Sequence, residues 1–132
     1  MAEVILDATD AAIGRLATYA AKQALLGRKV IIINCNEAIV TGRQSALLEV
    51  YKTKIARGGY AQKGPYFSKT PERLAKRTIR GMLPWKRTRG KDAFKLIKCF
   101  NETPAEYSGK DKITFKKAKS PNLTLKRLLE LA

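Results

Sequence analysis

Residues 4–33 read VILDATDAAIGRLATYAAKQALLGRKVIII, and this stretch decides the fold class. Val4-Ile5-Leu6 is a short apolar run rich in β-branched residues, which reads as a buried strand. Asp7-Ala8-Thr9-Asp10 follows as a turn, with Asp10 placed to cap a helix. Residues 11–26 carry Ile13, Leu16, Ala17, Ala20, Ala21 and Ala24 at helical spacing. Gly27 supplies the stop that helix ends favour. Val30-Ile31-Ile32-Ile33 is then apolar at every position, bounded by Arg28-Lys29 and Asn34. Strand, helix and strand within about 30 residues make a βαβ unit, and strands apolar on both faces belong in a covered parallel sheet.

Ala38-Ile39-Val40-Thr41 is a further short strand or a packed loop, ended by Gly42. It follows Asn34 too closely for a parallel crossover, so as a strand it turns back antiparallel. Residues 44–56 read as a helix with Ala46, Leu47, Val50 and Tyr51 on one side. Residues 57–69 form a loop containing Gly58, Gly59, Gly64 and Pro65. Thr70-Pro71-Glu72 opens another helix, with a cap residue, a proline at the first position and an acid in the first turn. Pro84 is expected to end it. A short helix around 86–94, a strand within 95–100, a polar turn-rich run over 101–122 and a leucine-rich helix over 123–131 complete the reading. Residues 1–132 are thus expected to form one α/β domain, with a basic segment at 51–98 and a tail at 105–132.

The chain has 132 residues, 27 Lys plus Arg, 11 Asp plus Glu and no His, for a net charge of +16. The hydrophobic fraction of 45% separates it from a disordered basic tail. A folded body so charged repels itself unless a polyanion neutralises it, and nucleic acid is the usual one. Lack of His excludes Ser-His-Asp and Cys-His catalysis and any His metal ligand. Cys35 and Cys99 alone are too few for a tetrahedral zinc site. They are expected to be reduced, buried thiols of a cytoplasmic protein rather than a disulfide. The opening Met1–Asp7 lacks the basic start and long apolar run of a signal peptide. No apolar stretch approaches the roughly 18 residues of a membrane span.

The charge is concentrated. Residues 51–98 hold 15 basic and two acidic residues, so 48 positions carry +13 of the +16. At 100° per residue, Arg73, Lys76, Arg77 and Arg80 fall in one stripe, opposite Leu74, Ala75, Ile79, Met82 and Leu83. One face can pack on the domain while the other offers four cations. Like charges at this spacing cost an isolated helix a few tenths of a kcal/mol per pair, a cost that a counter-anion offsets. Six of the ten aromatic residues also lie in 51–98. Tyr60 and Tyr66, in a loop bearing Gly and Lys, suit stacking on unpaired bases. Tyr51, Phe67 and Phe94 suit the core, and Trp85 fits either role. The candidate nucleic-acid-binding set is Arg43, Lys52, Lys54, Arg57, Tyr60, Lys63, Tyr66, Lys69, Arg73, Lys76, Arg77, Arg80, Trp85, Lys86, Arg87, Arg89 and Lys91.

An enzyme reading finds little support. The turn from Asp7 to Ile13 has no glycine where a dinucleotide fingerprint needs GxGxxG, and Asp7 and Asp10 would repel a pyrophosphate. There is no GxxxxGK[ST] loop, and so close to a helix start Asp7 and Asp10 suit caps and turns better than an acid–base pair. A DNA-binding reading has the charge but no helix-turn-helix or zinc motif. No cofactor, metal or small-molecule substrate is expected.

The residues resemble one family. Asp7-Ala8, Gly14-Arg15-Leu16-Ala17, Ala21-Lys22, Leu26-Gly27, Val30, Asn34 and Gly42 are followed in order by Gly64-Pro65, Pro71, Arg80-Gly81-Met82-Leu83-Pro84, Lys86, Gly90, Ala93 and Pro104. In this pattern the chain resembles the large-subunit ribosomal protein L-thirteen family, in its archaeal and eukaryotic branch. The resemblance spans about residues 4–104. It implies a three-layer α/β fold around a small, mostly parallel sheet, binding to large-subunit ribosomal RNA, contact with neighbouring ribosomal proteins, a part in subunit assembly and no catalysis. Asn101-Glu102-Thr103-Pro104 departs from the glycine usual in that turn. Arg15 fits an RNA contact or an ion pair with Asp7 or Asp10. The tail leucines Leu125, Leu128 and Leu129 fit docking on the domain itself or on a neighbour.

Overall fold

The computed structural model describes residues 3–41, 43–56, 70–115 and 122–131. Three strands, β1 (Glu3–Asp7), β2 (Lys29–Ile33) and β4 (Ile97–Cys99), form a parallel sheet in the order β1-β2-β4. Val4 lies opposite Val30 and Leu6 opposite Ile32. On the other edge of β2, Val30 lies opposite Ile97 and Ile32 opposite Cys99. Ile113 extends the sheet beyond β1: its N–H donates to the Ile5 carbonyl and its own carbonyl accepts from Asp7 N–H, both at 2.9 Å. A second, antiparallel pair joins β3 (Ile39–Thr41) to β5 (Asn122–Thr124).

The alternation of strand side chains sorts the core into two clusters. Leu6, Val30, Ile32 and Ile97 pack with Leu16, Ala17, Ala20 and Ala24 of α1 (Ile13–Leu25). The same cluster includes Leu74, Ala75 and Ile79 of α3 (Pro71–Gly81) and Ala93 of α4 (Thr88–Lys95). Leu125, Leu128 and Leu129 of α5 (Leu125–Leu131) complete it. On the opposite face, Ile5, Ile31 and Ile33 are covered by Tyr107, in a short 3-10 turn, and by Phe100. Helices, sheet and this covering segment are the three layers. Burying a side chain such as isoleucine contributes about 1.5–3 kcal/mol, so four fully buried residues in a row make β2 the thermodynamic centre.

Several expected boundaries move, each for a tertiary reason. The first helix starts at Ile13, and Asp10 does not cap it: Asp10 sits at φ 58 with its N–H bonded to the Glu37 carbonyl at 3.2 Å. The backbone before the helix is committed elsewhere, because Ile39 N–H donates to the Ala11 carbonyl at 2.8 Å. Asp7 organises the turn instead. Its carboxylate accepts from Thr9 N–H (3.0 Å), the Thr9 hydroxyl (2.7 Å) and the Asn34 side-chain amide (3.1 Å). Gly27, at φ 87, ends the helix as expected.

In α2 (Gln44–Ala56) the side packed on the core is Leu47, Leu48, Tyr51 and Ile55. Ala46 and Val50 face solvent. The α3 helix ends at Gly81, ahead of Pro84, since a residue before proline is pushed out of the helical region and the chain closes with tight bonds from Met82 to Ile79 and Leu83 to Arg80. Met82, expected on the apolar side, is exposed. Thr70 does not cap α3 with its side chain; Asn101 accepts the Glu72 N–H at 3.0 Å from across the fold. The departure from glycine at this turn thereby acquires a function, reinforced by the Thr103 hydroxyl, which donates to the Asn34 side chain at 2.9 Å.

The terminal helix starts at Leu125 rather than Leu123. Leu123 and Thr124 are drawn into β5 opposite Val40 and Ile39, and the Thr124 hydroxyl accepts the Arg127 N–H at 3.3 Å. The buried leucines show the tail docked on its own domain. Gly90 lets α4 cross the Pro84 carbonyl, with which a Cβ at this position would collide. Gly90→Ala is therefore expected to destabilise by about 1–3 kcal/mol or more, seen as a lower urea midpoint with unchanged slope.

Asp7 makes stability depend on acid. Burial acts to raise its pKa, but the hydrogen bonds from Thr9 and Asn34, with the nearby Lys112 charge, outweigh it and hold the carboxyl below its ordinary value of 3.8. A depressed folded pKa contributes stability that is complete above the unfolded value and is lost as pH falls through the folded one. Asp7→Asn should be less stable than the natural chain at pH 7, with the gap narrowing below pH 3.8 in urea titrations across pH.

Candidate nucleic-acid interface

The amphipathic α3 builds the site. Leu74, Ala75 and Ile79 anchor it on α1 and the sheet, which turns Arg73, Arg77 and Arg80 outward and leaves Lys76 half-buried. Pro71 starts the helix and Glu72 sits in its first turn, where an acid complements the helix dipole. All four cations line one shallow groove of about 370 Å³, together with Phe94 of α4. The Lys76 ammonium lies 4.9 Å from the Phe94 ring centre, and the Arg80 guanidinium 4.3 Å from that of Trp85. Trp85 and Phe94 meet edge to face at 5.0 Å and 86°.

On the flank of α3, α2 contributes Tyr51, with the Lys54 ammonium 5.2 Å from its ring centre. Burial raises the Tyr51 phenol above its ordinary pKa, while the Arg77 charge pulls it the other way. Among the described residues, the ion pairs are those of Glu3 with Lys29 (3.9 Å) and Lys110 (3.4 Å). Arg73, Lys76 and Arg80 form none with the described residues.

The structure brings part of the candidate set together. Arg73, Lys76, Arg77 and Arg80 share the groove, and Trp85 stands beside it. Arg43, just before α2, and Lys52, on it, are exposed but do not line the groove. Lys86 and Arg87 are exposed in the turn before α4, and Lys91 on α4. Arg89 lies in a separate hollow with Lys22, Leu25, Leu26 and Met82, so the basic surface divides at α4. Arg57, Tyr60, Lys63, Tyr66 and Lys69, with Phe67 and the loop glycines, lie outside the described residues. Lys98 was absent from the candidate set, yet it lines a second hollow of about 300 Å³ with Arg73 and Lys76. The period-two pattern of β4, with Ile97 buried and Lys98 outward, was the available signal. Arg15 is exposed and makes no ion pair with Asp7 or Asp10 among the described residues.

Cys35 is buried, Cys99 half-buried, and both are free thiols. The hydrogen bond with Cys35, followed by burial, raises the Cys99 thiol far above its ordinary pKa. A thiol so held is not a nucleophile. Among the described residues no helix is long and apolar enough to cross a membrane, and no three His, Cys, Asp or Glu side chains cluster to hold a metal.

Residues 2–106 match the family described as Ribosomal protein L13. The chain belongs to the uL13 family. Relatives named "Large ribosomal subunit protein uL13" include that of Archaeoglobus fulgidus, 42% identical over 107 residues, which are 81% of this chain and 68% of the relative. That of Methanosarcina barkeri is 39% identical over 128 residues, covering 96% of this chain and 91% of the relative. That of Methanopyrus kandleri is 41% identical over 100 residues, 76% of this chain and 62% of the relative. The archaeal and eukaryotic branch expected from the motif pattern agrees with these relatives, all three archaeal. Each name is that of a ribosomal subunit protein, and the non-enzymatic reading stands on membership of the uL13 family.

The groove has an electrostatic signature that needs no partner. Repulsion among α3 cations is relieved as the Debye length shortens from about 10 Å at 0.1 M salt to about 3 Å at 1 M. Thermal unfolding of this uL13-family chain should therefore shift upward with NaCl. The shift should be smaller in the Arg73→Gln/Arg80→Gln variant.

Proposed function

We propose that this uL13-family protein binds and organises large-subunit ribosomal RNA during subunit assembly, through the α3 groove and its basic surroundings. The observation that carries the reading is the gathering of Arg73, Lys76, Arg77 and Arg80 on one side of a helix whose other side is buried in the core. Arginine forks bind phosphate oxygens in pairs and release condensed counterions as they do. Because the α/β body holds the helix in place, binding has to order the cationic side chains but not the backbone that carries them. Recognition rests on backbone shape, since the major groove of an RNA duplex is too narrow for side chains to read. Lys86, Arg87 and Lys91 extend the contact beyond the groove. Arg43, Lys52 and Lys54 extend it from the start of α2 and along that helix, Arg89 joins from its own hollow, and Arg57, Tyr60, Lys63, Tyr66 and Lys69 add to it from the 57–69 segment. Its partners are this RNA and adjoining large-subunit ribosomal proteins, with no small-molecule substrate.

Affinity for large-subunit ribosomal RNA should fall steeply with salt, as for on the order of 6–10 phosphate contacts. Replacing Arg73, Arg77 and Arg80 together by Ala should leave the chain folded, with thermal unfolding at or slightly above that of the natural chain at low salt, because the buried face is untouched and the repulsion is relieved. The slope of log affinity against log salt should drop by about 0.7–0.9 for each phosphate no longer neutralised. Filter binding across a salt series checks both numbers. Salt-independent binding, or normal binding by the triple variant, would sink the reading.

A further inference from the structure

Trp85 is the only tryptophan of the chain and the obvious candidate for stacking on an unpaired base. Its surroundings argue for a different task. The Arg80 guanidinium lies 4.3 Å from its ring centre. The ring is half-buried and packed on a neighbour. It meets Phe94 edge to face at 5.0 Å, its backbone N–H donates to the Leu83 carbonyl at 2.8 Å, and Pro84 precedes it. Phe94 is in turn approached by Lys76 at 4.9 Å. Two cations four residues apart on α3 are thus tied to two aromatic rings that touch each other.

We infer that Trp85 is a positioning residue, which holds the Arg80 guanidinium by its flat face so that the in-plane N–H donors point at an RNA phosphate. The inference rests on the reading of the groove as RNA-binding and adds how one phosphate is held. An exposed arginine with no ion partner among the described residues samples many rotamers, and ordering it on binding costs affinity. Stacking on an aromatic ring uses the face of the guanidinium and leaves its edge for a bidentate phosphate contact. The indole is the broadest such ring, and Phe94 stops it from turning away. Direct stacking of Trp85 on a base is the competing role, and it predicts a Trp85 contribution that does not depend on Arg80.

The test is a double-mutant cycle on the full chain, with large-subunit ribosomal RNA transcribed from an archaeal template as the probe. Trp85→Leu, which keeps an apolar side chain without the π face, should weaken binding about three- to tenfold, the range of a cation–π interaction. It should also lower the salt slope by about 0.7–0.9, as expected for one fewer neutralised phosphate. Trp85→Phe should restore affinity to within about twofold. In an Arg80→Ala background, Trp85→Leu should have no further effect. Equal effects with and without Arg80, or no effect at all, overturn the inference. A second measurement needs no change at Trp85: in the free protein, Arg80→Ala should increase acrylamide quenching of the tryptophan, and unchanged quenching overturns the stack. Arg73→Ala and Arg77→Ala separate the two readings. If they weaken binding while Arg80→Ala does not, only the role of Trp85 fails. If all three bind normally, the groove itself is not the RNA site.

Discussion

Val30, Ile31, Ile32 and Ile33 are inaccessible to solvent, so β2 demands a strand on each edge and cover on each face. That demand orders the molecule. The edges are met by β1 and β4, which come from opposite ends of the βαβ-to-α4 stretch and run in the same parallel direction. One face is met by α1, α3, α4 and α5, the other by Tyr107 and Phe100. The basic helix does not float beside this body. Leu74, Ala75 and Ile79 belong to the same cluster as Ile32 and Leu16, so the position of four cations follows from the burial of a strand whose apolar run carries none of them.

This coupling sets the balance between apolar attraction and charge repulsion in α3. Like charges three and four residues apart cost tenths of a kcal/mol each, whereas three buried apolar side chains contribute several kcal/mol together. Burial wins, and the helix stands with its charges gathered. The aromatic pair Trp85–Phe94 then separates the roles of those charges. Lys76 and Arg80 rest on rings, and Arg73 and Arg77 line the same groove from the exposed side of α3. A uniform basic stripe in sequence becomes a set of differently held side chains in space.

Much of the fold was legible because its signals are local. The βαβ start, the helix over 44–56, the proline-opened α3 and the stop at Gly27 depend on neighbours within a few residues, and all four appear. The departures fall where distant backbone competes. Asp10 does not cap α1 because β3 claims the chain at Ala11. Thr70 yields that role in α3 to Asn101, which reaches Glu72 from a turn 29 positions away. Leu123 leaves the terminal helix because β3 takes it as a partner strand. In the candidate site, the α3 stripe was legible from its 100° spacing, while Lys98 was missed because nothing in a three-residue strand says which hollow its outward side chain faces.

By itself, the sequence determined the α/β class, the concentration of +13 in 48 residues and the apolar back of α3, since periodicity and composition are properties of contiguous residues. The pattern of motifs also sufficed to point to the family. Only the tertiary structure decided which cations converge, where the tail docks, what caps α3 and why Arg80 stands over Trp85. Those outcomes depend on contacts between segments far apart in the chain, and such contacts are chosen by the packing of the whole core rather than by the preferences of any one stretch.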